Sequence, residues 1–164
     1  MTLLKSKTVL ITAGPTYEPI DPVRFIGNRS SGKMGYAIAT ELAQRGAKII
    51  LISGPSKLTI QHKNIVLFKV ETAQEMYDEV HKHYHKTDIA ILSAAVADYT
   101  LANPSSIKIK KTINSDKLVL HLTKTKDILK SLGEIKNDKQ ILVGFALETN
   151  NAEENAIKKL NKKI

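Results

Sequence analysis

The segment Asn28 to Gly35, NRSSGKMG, concentrates groups suited to binding an anion. Ser30 and Ser31 offer hydroxyl donors, Gly32 and Gly35 let backbone come close to a ligand, and a helix starting there would aim free N–H groups at a phosphate. Arg24, Arg29 and Lys33 add positive charge around it. The same residues would also serve as a serine N-cap followed by a glycine for tight helix–sheet packing. A second constellation is Ser93 to Tyr99, SAAVADY. The small side chains of Ala94 and Ala95 would let a flat base or sugar lie against the backbone, or let a strand pack closely on a helix. Asp98 could accept a hydrogen bond from a ribose hydroxyl, hold a metal-bound water, or close a turn. In Ile107 to Lys111, IKIKK, strand alternation would put Lys108 and Lys110 on one face. There they could neutralise charge at a triphosphate or blunt an exposed sheet edge. Lys159 and Lys163 stand one turn apart around a stripe of Ile157, Leu160 and Ile164, which the last turn of a helix explains without a ligand. His81, His83 and His85 offer an i, i+4 pair that could bind a metal, but without a third ligand beside that pair they read as a solvated helix end.

Chemistry of this kind needs a scaffold, and the composition bounds it. The chain has 164 residues, 42% of them hydrophobic and 25% charged, as expected of one ordinary domain. It has no cysteine, so disulfides, thiolate nucleophiles and cysteine-ligated metals are excluded. No apolar run approaches the roughly 20 residues that span a bilayer, and the N-terminus passes straight into a strand pattern, so a cytosolic protein with no membrane contact is expected. A net charge of +9 attracts anions. The 3 Phe and 5 Tyr are scattered, and without Trp they build no stacking platform, which favours a small phosphorylated ligand over nucleic acid.

Apolar β-branched runs predict strands over Lys7–Ala13, Ala47–Ser53, Ile65–Val70, Asp88–Ala95 and Ile141–Leu147. A helix carrying Met34, Ala37, Ile38 and Leu42 ends near Gly46, and Thr72 with Glu75 opens a capping-box helix running to about His85 with Met76, Tyr77 and Val80 inward. Further helices are predicted over about Thr125 to Ile135 and from the Asn150/Glu153 cap onward. Lys117–Thr123 alternates like a half-exposed strand and is expected to pair with Ile107–Lys111 as a flap. The alternation of strands and helices predicts an α/β, Rossmann-like three-layer fold with a mostly parallel sheet and a lysine-bearing flap. Ligands in such sheets lie beyond the carboxyl ends of the strands, so the loops after Ala13, Ser53, Ala95 and Phe145 matter most. The first of these, Gly14 to Gly35, is far longer than an ordinary strand-to-helix connection, as binding loops are.

Two short motifs are coincidental. Gly27 to Lys33 spells a phosphate-loop pattern, but Met34 replaces the hydroxyl residue that would hold magnesium. Asn28-Arg29-Ser30 fits a glycosylation acceptor, which a cytosolic setting makes irrelevant. A hydride-transferring enzyme, the ordinary guess for such a fold, is disfavoured: there is no G-x-G-x-x-G, no acidic residue closes the second strand, and no tyrosine is followed four residues on by lysine. The competing readings are an NAD(P)-binding reductase and a basic nucleic-acid-binding module.

Taken together, TAGPTYEPIDPVRFIGNRSSGKMG, GAKIILISGP, SAAVADY, KIKK and GFALETNN resemble the phosphopantothenate-cysteine ligase family. NRSSGKMG is similar to the synthetase half of the bacterial bifunctional flavoprotein of coenzyme A biosynthesis, which carries a decarboxylase ahead of it. The resemblance implies ligation of 4'-phosphopantothenate with L-cysteine, driven by CTP through an acyl-cytidylate, with magnesium and no set of protein ligands assigned to it. It implies that Asn28 holds the activated acyl group, that Arg24 supports the loop or the substrate phosphate, and that Ser31 and Gly32 serve that phosphate or the turn. Lys108 would act at the nucleotide phosphates during activation. Ala94, Ala95, Asp98, Phe145, Lys159 and Lys163 would form the nucleotide site. The family is dimeric, with the flap reaching the partner subunit, and its pattern continues past NKKI with another strand. The expectation is therefore a homodimer of single synthetase domains, residues 1–164, lacking the family's C-terminal end.

Overall fold

The computed structural model describes residues 4–111 and 117–146 and positions 151, 154 and 157. Its strands and helices follow in the order β1 (Thr8–Ala13), β2 (Tyr17–Pro19), β3 (Phe25–Gly27), α1 (Lys33–Gln44), β4 (Lys48–Ser53), β5 (Ile65–Lys69), α2 (Ala73–Tyr84), β6 (Ile89–Leu92), β7 (Tyr99–Leu101), β8 (Leu122–Lys124), α3 (Ile128–Ile135) and β9 (Ile141–Gly144). Five strands form one sheet in the order β5-β4-β1-β6-β9, every neighbouring pair parallel. The expected α/β, Rossmann-like arrangement is therefore what the chain adopts.

Strand alternation divides the core in two. Val9, Ile11 and Ala13 of β1 turn to one face and pack with Tyr36, Ala39 and Ala43 of α1. Leu10 turns to the other, against Met76, Val80 and Tyr84 of α2 and Ile128 and Leu132 of α3. Each such fully buried aliphatic side chain contributes roughly 1.5–3 kcal/mol, so the central strand is held from both sides.

The capping box of α2 forms as read: Thr72 Oγ1 accepts the Glu75 N–H at 3.1 Å, and Glu75 Oε2 accepts the Thr72 N–H at 3.4 Å. Thr72→Ala should cost about 1 kcal/mol and lower the melting temperature by about 2–4 °C. A thermal scan with an unchanged midpoint would show that the cap adds nothing here.

Several predicted elements differ, among them the strand predicted to Ala95, which ends at Leu92. Helix α3 begins at Ile128 behind an Asp127 cap, not at Thr125, because Thr125 is tied back by bonds to Ala97 and Asp98. The long first loop contains a hairpin, β2–β3, with Tyr17 opposite Gly27 and Pro19 opposite Phe25. The flap pairing is also different: β8 pairs antiparallel with β7, and Ile107–Lys111 forms no strand. The backbone N–H and C=O of Ile109 bond to Asp21 and Arg24 and are unavailable to a ladder. Lys108 and Lys110 thus do not share a strand face. The strand predicted to Leu147 runs to Gly144; Leu147 and the helix predicted from Asn150 lie outside the described residues, apart from isolated positions. Among the described residues no helix is long and apolar enough to cross a membrane.

Candidate functional site

Strand order reverses direction at β1, whose neighbours β4 and β6 are reached by connections running opposite ways, and a crevice opens at the carboxyl ends there. The chain leaving β1 is fastened to the chain leaving β6. Gly14 C=O accepts the Ala95 N–H at 2.8 Å, Thr16 N–H donates to Ala95 C=O at 3.3 Å, and Thr16 Oγ1 accepts the Ala97 N–H at 3.0 Å. Asn28, just beyond β3, completes this junction. Its Nδ2 donates to both Ala95 C=O and Val96 C=O, each at 3.1 Å. The NRSSGKMG loop is thereby brought directly against the SAAVADY segment.

Helix α1 starts at this loop, and its cap is Gly32, φ 80°, a left-handed conformation that favours glycine. A Cβ there would lie 3.2 Å from Gly14 N. The serine N-cap is therefore not what forms: Ser30 Oγ accepts the Gly32 N–H at 3.3 Å, and Ser31 Oγ stands 3.5 Å from Lys33 N. Gly35 plays the packing part, since a Cβ would fall 2.6 Å from Ala13 Cβ.

Beside the junction lies a cleft of about 940 Å³, near the upper end of small-ligand sites. Thr12, Leu92, Ala94, Val96 and Leu142 to Gly144 line it from the sheet, Asp98 and Tyr99 line it together with Lys124 and Thr125, to which they are paired, and the chain from Lys126 to Leu129 with Phe145 and Ala146 completes the lining. Ala94 and Asp98 are thus brought to one cavity with Phe145, more than forty positions further along the chain. Ala95 does not line it; its backbone is the anchor of the junction. Lys159 and Lys163 lie outside the described residues.

Arg24 and Lys108 are placed elsewhere. Arg24 pairs with Asp21 through Nε, at 3.0 Å, and Nη2, and also donates from Nη2 to Ile109 C=O at 2.8 Å. Lys108 is exposed and does not line the cleft of its own chain. The Arg24 guanidinium holds the Asp21 carboxyl far below the usual carboxylate range; backbone N–H donors from Ile109, Val23 and Arg24 add to this and outweigh the opposing effect of burial.

Sequence reasoning missed Asp21, although the Asp-Pro dipeptide is a turn signal, and it missed Lys124 and Thr125, whose segment reaches the cleft only through the β7–β8 pairing. Two of these histidines are engaged within their helix: His81 stacks on Tyr77 at 3.9 Å between ring centroids, and His83 Nε2 meets Glu79 Oε1 at 2.7 Å. Among the described residues no group of three or more His, Cys, Asp and Glu is arranged to hold a metal ion. A divalent ion would fit this donor set only as one carried by a ligand's phosphates, with Asp98 and Asp127 the carboxylates among the described residues of the cleft.

The profile of the DNA/pantothenate metabolism flavoprotein C-terminal domain matches residues 4–164. The coenzyme A biosynthesis bifunctional protein CoaBC of Vibrio vulnificus is 48% identical over 160 residues, which is 98% of this chain and 40% of that relative's length. The crystal structure of the C-terminal domain of a CoaBC protein superposes with a TM-score of 0.85 at 48% identity, covering 99% of this chain and 76% of that one. A Cab2 H337A variant in complex with phosphopantothenate-cysteine shares the fold, with a TM-score of 0.82 at 20% identity over 97% of this chain and 70% of that one. The motif resemblance, the sheet order and these matches agree, and the chain belongs to the DNA/pantothenate metabolism flavoprotein C-terminal domain family.

Proposed function

We propose that this chain is the synthetase portion of a coenzyme A biosynthesis enzyme, joining 4'-phosphopantothenate to L-cysteine at the expense of CTP in the cytoplasm. The observation that carries the reading is the Asn28 junction, where one amide fastens the anion-binding loop to the edge of the cleft that holds Ala94, Asp98 and Phe145. The names borne by the relative and by the Cab2 complex point to the same chemistry.

Near neutral pH a carboxylate and an ammonium group form ions rather than an amide, because the carboxylate oxygen is a poor leaving group. Activation solves this. The substrate carboxylate attacks the α-phosphate of CTP, an O–P bond forms, and the bond to the departing pyrophosphate breaks. The cysteine amine then attacks the acyl carbon, CMP leaves with its bonding electrons, and the amine proton is lost to solvent. Most of the rate enhancement would come from positioning and charge neutralisation. In this scheme the α1 N-terminus with Ser31 and Gly32 receives the pantothenate phosphate, and Arg24, at the far end of the β2–β3 hairpin, supports the loop that carries them. Asn28 faces the acyl group. Asp98 receives the ribose, and Phe145 and Ala94 enclose the base, with Ala95 anchoring that strand end and Lys159 and Lys163 assigned to the nucleotide by resemblance. Magnesium, bound with the triphosphate, would neutralise charge on the phosphates.

Because Lys108 stands away from its own cleft, we assign it to the cleft of a second protomer in a homodimer. In the two-domain relatives the adjoining unit would decarboxylate the product.

The chain incubated with CTP, magnesium and phosphopantothenate, without cysteine, should release pyrophosphate in proportion to protein and accumulate a trappable acyl-cytidylate. Later addition of cysteine should discharge CMP. ATP in place of CTP is the comparison arm, and a folded chain that releases pyrophosphate with neither nucleotide would remove the proposal.

A further inference from the structure

We infer that Asp21 is a positioning residue for Lys108: with Arg24, it fixes the lysine-bearing segment to the same hairpin that delivers Asn28. The inference rests on the ligase reading above, which makes Lys108 a working group.

The turn between β2 and β3 grips that segment at three points. Ile20 C=O accepts the Ser105 N–H at 2.9 Å, Asp21 Oδ2 accepts the Ile109 N–H at 3.0 Å, and Arg24 Nη2 donates to Ile109 C=O at 2.8 Å. Lys108 lies between the two anchored residues and is directly bonded to one whose backbone donor and acceptor are both taken. Its backbone path is therefore set while its side chain stays exposed.

The choice of residue at position 21 follows from what each oxygen does. Oδ1 accepts the Val23 and Arg24 N–H groups, both at 2.9 Å, and closes an Asx turn. An asparagine could do the same. Oδ2 reaches outward, to the Arg24 guanidinium and to the amide of a residue 88 positions further on. An asparagine would turn an NH2 group toward donors there. The Asp21 side chain is fully buried, and a buried carboxylate is costly unless its acceptor sites are filled; here the remote segment fills one of them.

The opposite end of the hairpin is the Asn28 junction. The ladder between them is three residue pairs long, roughly 10 Å along a strand, and the Tyr17 and Phe25 rings stack across it at 3.9 Å. One stiff element thus carries Asn28 at its base and the Lys108 clamp at its tip. A loosened clamp would let Lys108 wander while leaving the Asn28 side undisturbed.

Asp21→Asn in the full chain tests this by two independent readouts. Amide hydrogen exchange of Ile109 should quicken at least about tenfold, while that of Ala97, bonded to Thr16 at the hairpin base, stays as in wild type. Turnover in the pyrophosphate-release half-reaction should fall about 100-fold, with the KM for phosphopantothenate within about twofold of wild type. Arg24→Lys keeps a cation for Asp21 but loses the fork that reaches Ile109 C=O, and should give an intermediate loss; it serves if Asp21→Asn does not fold. Faster Ile109 exchange with wild-type pyrophosphate release overturns the proposal and leaves the ligase reading standing. Unchanged Ile109 exchange overturns the clamp itself. A wild-type chain that releases no pyrophosphate removes the ligase reading and Lys108's role with it, while the exchange data still report whether Asp21 holds the segment.

Discussion

Asn28→Asp is expected to uncouple activation from ligation: pyrophosphate is still released, but amide formed per pyrophosphate falls by about 100-fold as the acyl-cytidylate escapes to water. The side-chain geometry gives the reason. Asn28 Nδ2 is a donor shared between two carbonyl oxygens at 3.1 Å. An aspartate has no proton to give at neutral pH and would set anionic oxygen against both carbonyls, converting two attractions into two repulsions. The loop would lift from the end of β6 at the edge where the acyl group is proposed to sit. Thr16 and Gly14 still hold the chain to Ala95 and Ala97, so the fold should survive with a loss of about 1–3 kcal/mol. Quantifying amide, CMP and pyrophosphate in one reaction decides the matter. A wild-type ratio of amide to pyrophosphate would remove Asn28 from the acyl site.

Lys108→Gln should act earlier and suppress pyrophosphate release itself, by about 100- to 1,000-fold, the usual cost of deleting one group that stabilises developing charge. Folding should be untouched, since Lys108 is exposed and the clamp uses only its neighbour's backbone. The placement of Lys108 outside its own cleft makes a sharper experiment available. If the lysine serves a partner's cleft, mixing Lys108→Gln with Asn28→Asp protein, each defective in amide formation, creates heterodimers with one site intact for amide formation, the activity to be followed. Random reassortment should then restore about a quarter of wild-type activity. A mixture as inactive as its components would place Lys108 in its own chain's cleft. Undiminished pyrophosphate release by Lys108→Gln alone would take it out of the reaction.

The parts of this molecule read directly from the sequence are those built from local repetition. The runs Val9 to Ile11 and Ile49 to Ile52 are apolar without interruption because β1 and β4 are inner strands covered on both faces, and their parallel pairing follows from the helix α1 between them. Thr72 and Glu75 announced α2 because a capping box is complete within four consecutive residues. The flap was misread for the opposite reason. Alternating Ile and Lys over 107–111 matches a strand, but pairing also needs free backbone groups, and Asp21 and Arg24 had taken those of Ile109. The β2–β3 hairpin escaped notice because strands of three residues are too short for a period of two to register.

The candidate site divides along the same line. Which chemical groups are present, and that they lie after strand ends, is a property of the chain: Asn28, Ser31 and Gly32 follow the first strand, and Ala94, Ala95 and Asp98 follow β6, wherever the loops go. Which of them meet was decided only in three dimensions. The Asn28 amide finds carbonyls at Ala95 and Val96, residues more than sixty positions away, and Asp21 finds the amide of Ile109 across a still longer separation. No periodicity encodes such pairs, because each is a single hydrogen bond whose geometry is fixed by the packing of elements on either side of it. Local sequence sets helices, strands and caps through interactions within a few residues; the junction and the clamp exist because the packed elements bring polar groups distant in the chain within hydrogen-bond reach of one another.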